Sequence, residues 1–145
     1  MIALIQRVNW AQIYIDNTLH ADIGQGILAL IGIEKEDDDK LAQKLLDKIL
    51  AYRIFADSDG KMNLDLKDID GDLMLVSQFT LAAETEKGLR PGFSTAKPPV
   101  EAEAIYDKLE QAAREQHEFV RSGKFGADMQ VSLENDGPVT FILKV

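Results

Sequence analysis

The run ILALIGI, at residues 27–33, indicates the architecture of this chain. It is apolar on both faces, short, and bounded by Gly24 and Gly26 on one side and by charge from Glu34 onward. A continuous apolar run of this length between turn residues is typical of a strand that is buried on both sides. We therefore expect residues 27–33 to form a central strand of a β-sheet.

The sequence before this run predicts a β-hairpin. Residues 2–15 are rich in Ile, Val and aromatic side chains and predict a long strand. Asp16 and Asn17 are turn-forming residues, and residues 18–23 can return as the second strand. We expect residues 2–23 to form one antiparallel unit.

Two later segments carry apolar residues at helical spacing. Asp37–Asp39 offer N-caps for the first helix, and the acidic run Glu34–Asp39 is interpreted as its solvated start. Pro98 and Pro99 precede the second helix. The inward-facing positions are Leu41, Leu45, Leu46, Ile49 and Leu50 in the first helix and Ala102, Ile105, Leu109, Ala112 and Ala113 in the second.

The remaining segments predict strands and one loop. Residues 52–55 and 73–81 have the composition of strands, and residues 82–97 have that of a loop. Apolar residues then alternate on both sides of Glu134–Pro138, which predicts a closing hairpin with its turn at that place. The alternating positions are Met129, Val131 and Leu133 before the turn and Val139, Phe141, Leu143 and Val145 after it.

Several strands and two helices predict an α+β protein. We expect a single compact domain over residues 1–145, with a mainly antiparallel, barrel-like sheet and both helices on its outside. A chain of 145 residues, 46% hydrophobic and 28% charged, can fold as one globular domain without cross-links.

The composition also excludes several kinds of site. The chain has no cysteine, which excludes disulfides, thiolate nucleophiles, Fe–S clusters and cysteine-based zinc sites. The first residues, MIALIQRVNW, reach Arg7 too early for a signal peptide, and no run approaches the roughly 20 apolar residues of a membrane span. We expect a cytoplasmic protein with no membrane partner.

The charge balance argues against a general affinity for nucleic acids. Lys and Arg number 16 and Asp and Glu number 25, and the resulting net charge of −9 repels a polyanion. A narrow contact with the end of a nucleic acid needs only a local basic patch. The cations that can supply one, or that are merely scattered over the surface, are Lys87, Arg90, Lys97, Arg121 and Lys124.

No metal site is expected. The segment Asp57–Gly60 has glycine in fourth place, whereas a calcium loop of the EF-hand type needs it in sixth, so an ordinary turn is the better interpretation. His20 and His117 lack the spacing of zinc ligands or of a catalytic triad and are interpreted as surface histidines. The sequence therefore predicts no metal and no cofactor.

The segment SQFTL, residues 77–81, places hydroxyl and amide groups at the end of an apolar strand. Strand alternation would put Ser77 and Phe79 on one face of the sheet. Gln78 and Thr80 would then lie on the other. Taken by its composition alone, the segment is a strand that leaves the core, because threonine is a good strand residue.

The segment NDGPVT, residues 135–140, has the composition of a turn, and only ~5 to 6% of X-Pro bonds are cis. Together with SQFTL, however, it forms the paired signatures of the D-aminoacyl-tRNA deacylase family. The sequence resembles that family from end to end, also in MIALIQRV at its start, in YRIFADSDGKMNL at 52–64, in RPGF at 90–93 and in ADMQVSL at 127–133.

The resemblance implies a symmetric homodimer with each active site at the interface between the chains. The SQFTL segment of one chain would face the Gly-Pro segment of the other, whose peptide bond would be cis. The residues carried over are Ser77, Gln78, Phe79 and Thr80 as the catalytic segment and Gly137, Pro138, Met129 and Arg7 as the substrate-binding set.

The resemblance also implies the reaction, which is hydrolysis of the ester of D-aminoacyl-tRNA and of mischarged glycyl-tRNA. A rigid pair of backbone carbonyls would exclude L side chains by steric clash. Thr80 would position the substrate, and the N–H of Phe79 would stabilise the oxyanion. Two alternatives stay open, namely Thr80 as a covalent nucleophile and a non-catalytic domain that binds a tRNA end or a protein. DNA is not expected as a partner.

Overall fold

The computed structural model describes all residues from Met1 to Val145. Strand β1 (Ile2–Ile15) pairs antiparallel with β2 (Thr18–Ile23) across a tight turn. Asp16 and Asn17 form this turn with positive φ angles of 50° and 58°, a conformation that short polar side chains tolerate. The predicted hairpin is confirmed.

Strand β3 (Gly26–Gly32) lies in the middle of the sheet, as predicted. It pairs antiparallel with β1 and parallel with β6 (Asp72–Ser77), and nearly all of its residues are buried. Gly26 allows β3 to approach β6, because a Cβ there would lie 1.9 Å from the carbonyl oxygen of Asp72. The short strand β7 (Val120–Ser122) extends the sheet parallel to β6.

The C-terminal segment is one long strand, β8 (Gln130–Lys144), so the predicted closing hairpin is wrong. Both halves of β8 pair with the same partner, from Tyr14 opposite Gln130 to Ile2 opposite Lys144. The pattern was misleading because β1 is long enough to pair with both alternating halves. The turn-forming residues between them bulge out of the continuous β1–β8 ladder instead of reversing the chain.

The helices α1 (Asp39–Leu50) and α2 (Pro99–Gln116) pack on each other and on one side of the sheet. Asp38 caps α1 by accepting a hydrogen bond from the backbone N–H of Leu41 at 2.9 Å. The predicted inward positions of both helices belong to the larger core cluster or pack against it, and Tyr106 of α2 joins them. Neither helix is long and apolar enough to cross a membrane.

The sheet curls around a second, smaller core formed by residues of β1, β2, β3 and β6. Strand β2 approaches β6 and β7, which makes the barrel nearly closed. The protein is therefore a single compact α+β domain with a barrel-like mixed sheet and two flanking helices. The predicted fold class is confirmed, and the parallel pairings of β6 are the part that the sequence did not predict.

Two polar residues that were expected at the surface are buried. Asp37 accepts hydrogen bonds from the amino group of Met1 and from the backbone N–H of Glu34, both at 2.6 Å, so it is not part of a solvated helix start. His117 is also buried, with Nε2 at 2.7 Å from the carbonyl oxygen of Gly71. Each side chain is satisfied by a residue that is distant in sequence, which composition does not reveal.

The segment after α1 contains less strand than predicted. Only Phe55–Ala56 (β4) is extended and paired, with Met62–Leu64 (β5), and residues 52–54 lie outside any strand. The predicted turn between them is confirmed. Asp57 accepts hydrogen bonds from Asn63 and from two backbone N–H groups of this turn, and these bonds, led by that of Asn63, hold the pKa of Asp57 below its usual value.

Candidate active site

The SQFTL segment leaves the sheet at Ser77. The last sheet hydrogen bond runs from the N–H of Gln78 to the carbonyl of Ile31 at 2.7 Å, and Phe79–Ala82 then form a short 3-10 helix. The predicted strand to residue 81, with its alternating faces, is therefore wrong. Gly32 explains the turn, because a Cβ there would lie 2.8 Å from Cβ of Leu81 and would prevent this packing.

The turn brings Gln78 and Thr80 together. Nε2 of Gln78 donates a hydrogen bond to Oγ1 of Thr80 at 2.5 Å. No carboxylate or imidazole is hydrogen-bonded to this hydroxyl, which therefore lacks the general base that activates a nucleophile. The arrangement can present a polarised hydroxyl to a ligand.

Phe79, between them, exposes 60% of its surface and packs against Phe93, with ring centroids 5.1 Å apart. Phe93 belongs to the loop predicted at 82–97. Within that loop, Glu84 and Gly92 exchange two backbone hydrogen bonds, so residues 84–92 form a closed flap beside the turn. Hereafter the flap denotes Glu84–Gly92.

The Gly-Pro segment forms a bulge within β8. Gln6 pairs with Thr140 and Val8 with Asn135, so four residues of β8 stand opposite one residue of β1. We refer to these four residues, Asp136–Val139, as the excursion. Gly137 and Pro138 are exposed, and the peptide bond between them is cis. Gly137 has φ = 135°, and a Cβ there would lie 2.6 Å from Cγ2 of Val139, so only glycine fits.

Arg7 is the residue of β1 that lies opposite the excursion, and its side chain contacts the excursion from the β1 side. Its Nε donates to the carbonyl oxygen of Asp136 at 3.0 Å and lies 3.0 Å from Oδ2 of the same residue. Its Nη1 donates to the carbonyl oxygen of Ile54 at 2.7 Å. The guanidinium thereby ties the excursion to the segment before β4.

Asn135 closes the excursion at its base. Oδ1 of Asn135 accepts a hydrogen bond from the N–H of Val139, and Nδ2 donates to Oγ1 of Thr140, both at 2.8 Å. Sequence reasoning did not assign a role to this residue. The signal that could have found it was an asparagine at the start of a bulge, because such side chains commonly bond to nearby backbone groups.

Met129 lies away from the excursion of its own chain. It precedes Gln130, which pairs with Tyr14, and it packs beside Gly123 against the smaller core. Tyr14 lies seven positions along β1 from Arg7, which corresponds to roughly 23 Å along an extended strand. Within one chain, the structure therefore does not bring Met129 to the Gly-Pro segment.

The two signature segments are likewise separate within one chain. Ser77 ends β6, and the excursion belongs to β8, with β3 and β1 lying between these strands. Three strand spacings correspond to about 14 Å across the sheet. The two segments therefore do not form one pocket within a single chain.

The predicted basic residues do not form one patch. Lys97 donates to the carbonyl oxygen of Lys35 at 2.7 Å, whereas Lys87 and Arg90 lie exposed in the flap. Arg121 and Lys124 line a different feature, a cleft of about 490 Å³ between α2, β7 and β2.

The cleft also contains carboxylates of α2. Glu110 accepts hydrogen bonds from Arg114 at 2.6 Å and from Ser122 at 2.7 Å, while Glu103 and Asp107 line the same wall. Tyr106 at its floor donates to the carbonyl oxygen of Leu75 at 3.0 Å, and burial raises the pKa of its phenol. The cleft is thus of mixed charge. No group of three or more His, Asp or Glu side chains in the protein is placed to hold a metal ion.

Proteins of known sequence resemble this chain over its whole length. A D-aminoacyl-tRNA deacylase of Stutzerimonas stutzeri (strain A1501) is 57% identical over 144 residues, covering 99% of both chains. A D-aminoacyl-tRNA deacylase of Escherichia coli O81 (strain ED1a) is 52% identical over 145 residues, covering all of both chains.

Solved structures share the fold. One, described as c-Myc DNA Unwinding Element Binding Protein, has a TM-score of 0.96 and 38% identity and covers 100% of this chain and 99% of its own. Another, of a probable eukaryotic D-amino acid tRNA deacylase, has a TM-score of 0.86 at 17% identity, covering 99% of this chain and 98% of its own, and supports the fold alone. Residues 4–144 match the family model described as D-Tyr-tRNA(Tyr) deacylase. Because that match spans nearly the whole sequence and the full-length relatives exceed half identity, the chain belongs to the D-Tyr-tRNA(Tyr) deacylase family.

Proposed function

We propose that this protein hydrolyses the ester bond of D-aminoacyl-tRNA and releases the D-amino acid and free tRNA. The observation that carries the proposal is that a full-length family member keeps both signature segments intact. One is the turn at Gln78–Thr80, which we call the polar turn, and the other is the Gly-Pro excursion held by Arg7. The relatives are named for this activity, and their sequence identity to this chain supports assigning the same activity to it.

The active site is proposed to form between two copies of the chain. The excursion of one copy would enter the pocket beside Phe79 and Thr80 of the other, because one chain holds these segments on strands that are not neighbours. Exposed apolar side chains at Phe141 and Ile142 of β8 support a buried interface. A C2 dimer would contain two such sites.

Selection is proposed to work by exclusion. D and L esters offer the same groups and differ in where the side chain points, so attraction alone separates them poorly. The carbonyl groups of Gly137 and Pro138, held by Arg7 and Asn135, would meet an L side chain and leave a D side chain free. Glycine has no side chain, so glycyl-tRNA would also be hydrolysed.

The chemical step is proposed to use water and no cofactor. Water attacks the ester carbonyl, the neighbouring ribose hydroxyl of the substrate assists it, and the ribose oxygen leaves with a proton. Thr80 positions the substrate through the hydroxyl that Gln78 polarises. The N–H of Phe79 is the proposed oxyanion donor. The excursion would line the substrate's side of the pocket with Arg7 supporting it, whereas Met129 would have to come from the chain that supplies Phe79 and Thr80.

The proposed nucleic-acid partner is tRNA, not DNA. A chain with net charge −9 repels a long duplex, although the description of one structural neighbour names a DNA element. Aminoacyl-tRNAs are made and used in the cytoplasm, which is therefore the proposed location.

The test is to incubate the purified protein with D-tyrosyl-, L-tyrosyl- and glycyl-tRNA and to measure amino-acid release. We expect release from the D and glycyl substrates, with the L ester retained and with turnover that resists chelation. Rapid-quench mass spectrometry should find no acyl adduct on Thr80. A folded protein that leaves D-tyrosyl-tRNA intact would refute the proposed activity, and an adduct would establish the covalent alternative.

Mixed dimers test whether the site is shared. A Thr80→Val chain keeps its excursion, and an Arg7→Ala chain keeps its polar turn. A dimer of one of each would contain one site built from two unaltered segments and one site altered in both, so each mixed dimer should show about half of the selective hydrolysis of a wild-type dimer. Failure of mixed dimers, verified by mass, to restore it would mean that each site lies within one chain.

A further inference from the structure

We propose that Lys87 and Arg90 of the flap bind phosphodiester groups of the single-stranded end of the tRNA. This inference rests on the proposed function, because the ester that the protein would hydrolyse lies at the terminal ribose of that strand. It assigns a binding role to a segment outside both signatures.

The flap is fastened beside the polar turn. Its ends, Glu84 and Gly92, exchange backbone hydrogen bonds of 2.8 and 3.0 Å. Directly after it, Phe93 packs on the ring of Phe79, and Thr95 donates a hydrogen bond to the carbonyl of Ala82. The backbone N–H of Lys35 in turn donates to the carbonyl of Thr95 at 2.8 Å. The tip is therefore anchored close to the segment that would hold the ester.

The two cations at the tip are free to meet a ligand. Lys87 and Arg90 are exposed and take part in no ion pair, although Glu84 and Glu86 lie in the same flap. Gly88 between them turns the chain with φ = 73°, and open space surrounds it, since a Cβ there would meet no atom within 4 Å. Both side chains can therefore reach outward from the same tip.

Phosphate is the chemistry that suits this arrangement. A strand whose last ribose lies at the polar turn must lead its preceding phosphates away over the protein surface. The protein carries a net charge of −9, so a polyanion would be held where unpaired cations occur. Exposed aromatic rings next to cations are the usual means of binding single-stranded nucleic acid, and Phe79 with Phe93 supplies them at the base of the flap.

A second pair among the predicted basic residues, Arg121 and Lys124, is less suitable. Arg121 and Lys124 line the cleft together with Glu103 and Asp107 of α2, whose carboxylates would repel a phosphate. That pair serves as a matched control, because removing it changes the net charge by the same amount.

The experiment compares the double variant Lys87→Ala/Arg90→Ala with Arg121→Ala/Lys124→Ala and with the wild type. Binding of labelled, uncharged tRNA is measured over a series of salt concentrations. For single strands, the slope of log affinity against log salt falls by about 0.7 for each phosphate that the protein no longer neutralises, so the flap variant should lose about 1.4. The control variant should keep the wild-type slope.

Kinetics supply the second arm. With D-tyrosyl-tRNA, the flap variant should show a KM raised about tenfold at an unchanged kcat, while hydrolysis of D-tyrosyl-adenosine, which has no phosphodiester, stays at the wild-type rate. An unchanged salt slope in the flap variant, or an equal loss in the control variant, would overturn the inference. A wild type that binds tRNA but hydrolyses no D ester would refute the proposed function while the binding arm still decides the role of the flap.

Discussion

The polar turn after β6 and the excursion in β8 are both short and exposed, yet they are held in different ways. The turn depends on its own backbone, on the Gln78–Thr80 hydrogen bond and on the tilted packing of Phe79 against Phe93. The excursion is held from outside itself, by Arg7 from β1 and by Asn135 at its base. A group that excludes a substrate by clash must not yield, whereas one that positions it can adjust, and this difference matches the proposed roles.

The largest effect on stability and on discrimination is expected from removal of the Arg7 side chain, which holds the excursion. Arg7→Ala leaves the carbonyls of Ile54 and Asp136 without their charged donor, which should lower the free energy of unfolding by about 2 kcal/mol. The loosened excursion should also lower the ratio of D to L hydrolysis about tenfold. Chemical denaturation and release assays measure the two effects.

Arg53→Ala is the control for this change, because Arg53 is exposed and forms no ion pair, and its stability should stay within about 0.5 kcal/mol of wild type. A folded Arg7→Ala protein with an unchanged D-to-L ratio would show that the excursion does not need the contacts of Arg7.

A smaller effect is expected at the base of the excursion. Asn135→Ala removes the acceptor of the Val139 N–H and should cost about 1 kcal/mol of stability, with partial loss of discrimination. Asn135→Asp keeps that acceptor and loses only the donor to Thr140, so it should discriminate better than the alanine variant. Equal D-to-L ratios in the two variants would contradict the assignment of the Val139 contact as the important one.

A substitution in the polar turn should affect the rate of hydrolysis more than stability. Gln78→Ala removes an exposed hydrogen bond, so stability should change by less than about 0.5 kcal/mol, while kcat for D-tyrosyl-tRNA falls about tenfold. Thr80→Ser should retain substantial activity, because it keeps the hydroxyl. If Gln78→Ala instead relaxed discrimination at an unchanged kcat, the roles assigned to the two regions would have to be exchanged.

The smallest effect is expected at a third turn, which is as well bonded as the excursion but lies outside the site. Asp57→Ala removes an acceptor whose pKa is lowered in the folded state, mainly by Asn63. That contribution is present above the ordinary pKa of 3.8 and disappears as the pH falls through the folded value, so wild type and variant should converge in stability in acid. Thermal unfolding at pH 7 and below pH 3.8 tests the convergence. The Asp57→Ala variant should deacylate at the wild-type rate at pH 7. A change in its D-to-L ratio would mean that loss of hydrogen bonds in a turn outside the site also alters discrimination.

Elements whose pattern is local were predictable from the sequence. The hairpin of β1 and β2, the buried strand β3 and both helices follow from periodicity and from turn or capping residues, which act over a few positions. Ser77–Thr80 and Gly137–Pro138 were singled out by the family signatures, whereas their composition alone predicted a strand and an ordinary turn.

The errors arose where a distant residue determines the conformation. The end of β6 depends on the missing side chain at Gly32, and the continuity of β8 depends on the length of β1. Asp37 and His117 are buried because Met1 and Gly71 supply their partners. None of these relationships leaves a periodic signal near the residue that it affects.

The pairing of β1 with β8 also has a consequence for how the protein is made. Its contacts run from Tyr14 with Gln130 to Ile2 with Lys144, so every one spans more than a hundred positions of chain. β1 emerges from the ribosome early, yet its long outer edge has no partner until the last strand has been translated. Such distant contacts fold slowly. During translation the exposed edge of β1 is open to pairing with other nascent chains, and a product truncated before β8 would keep that edge permanently.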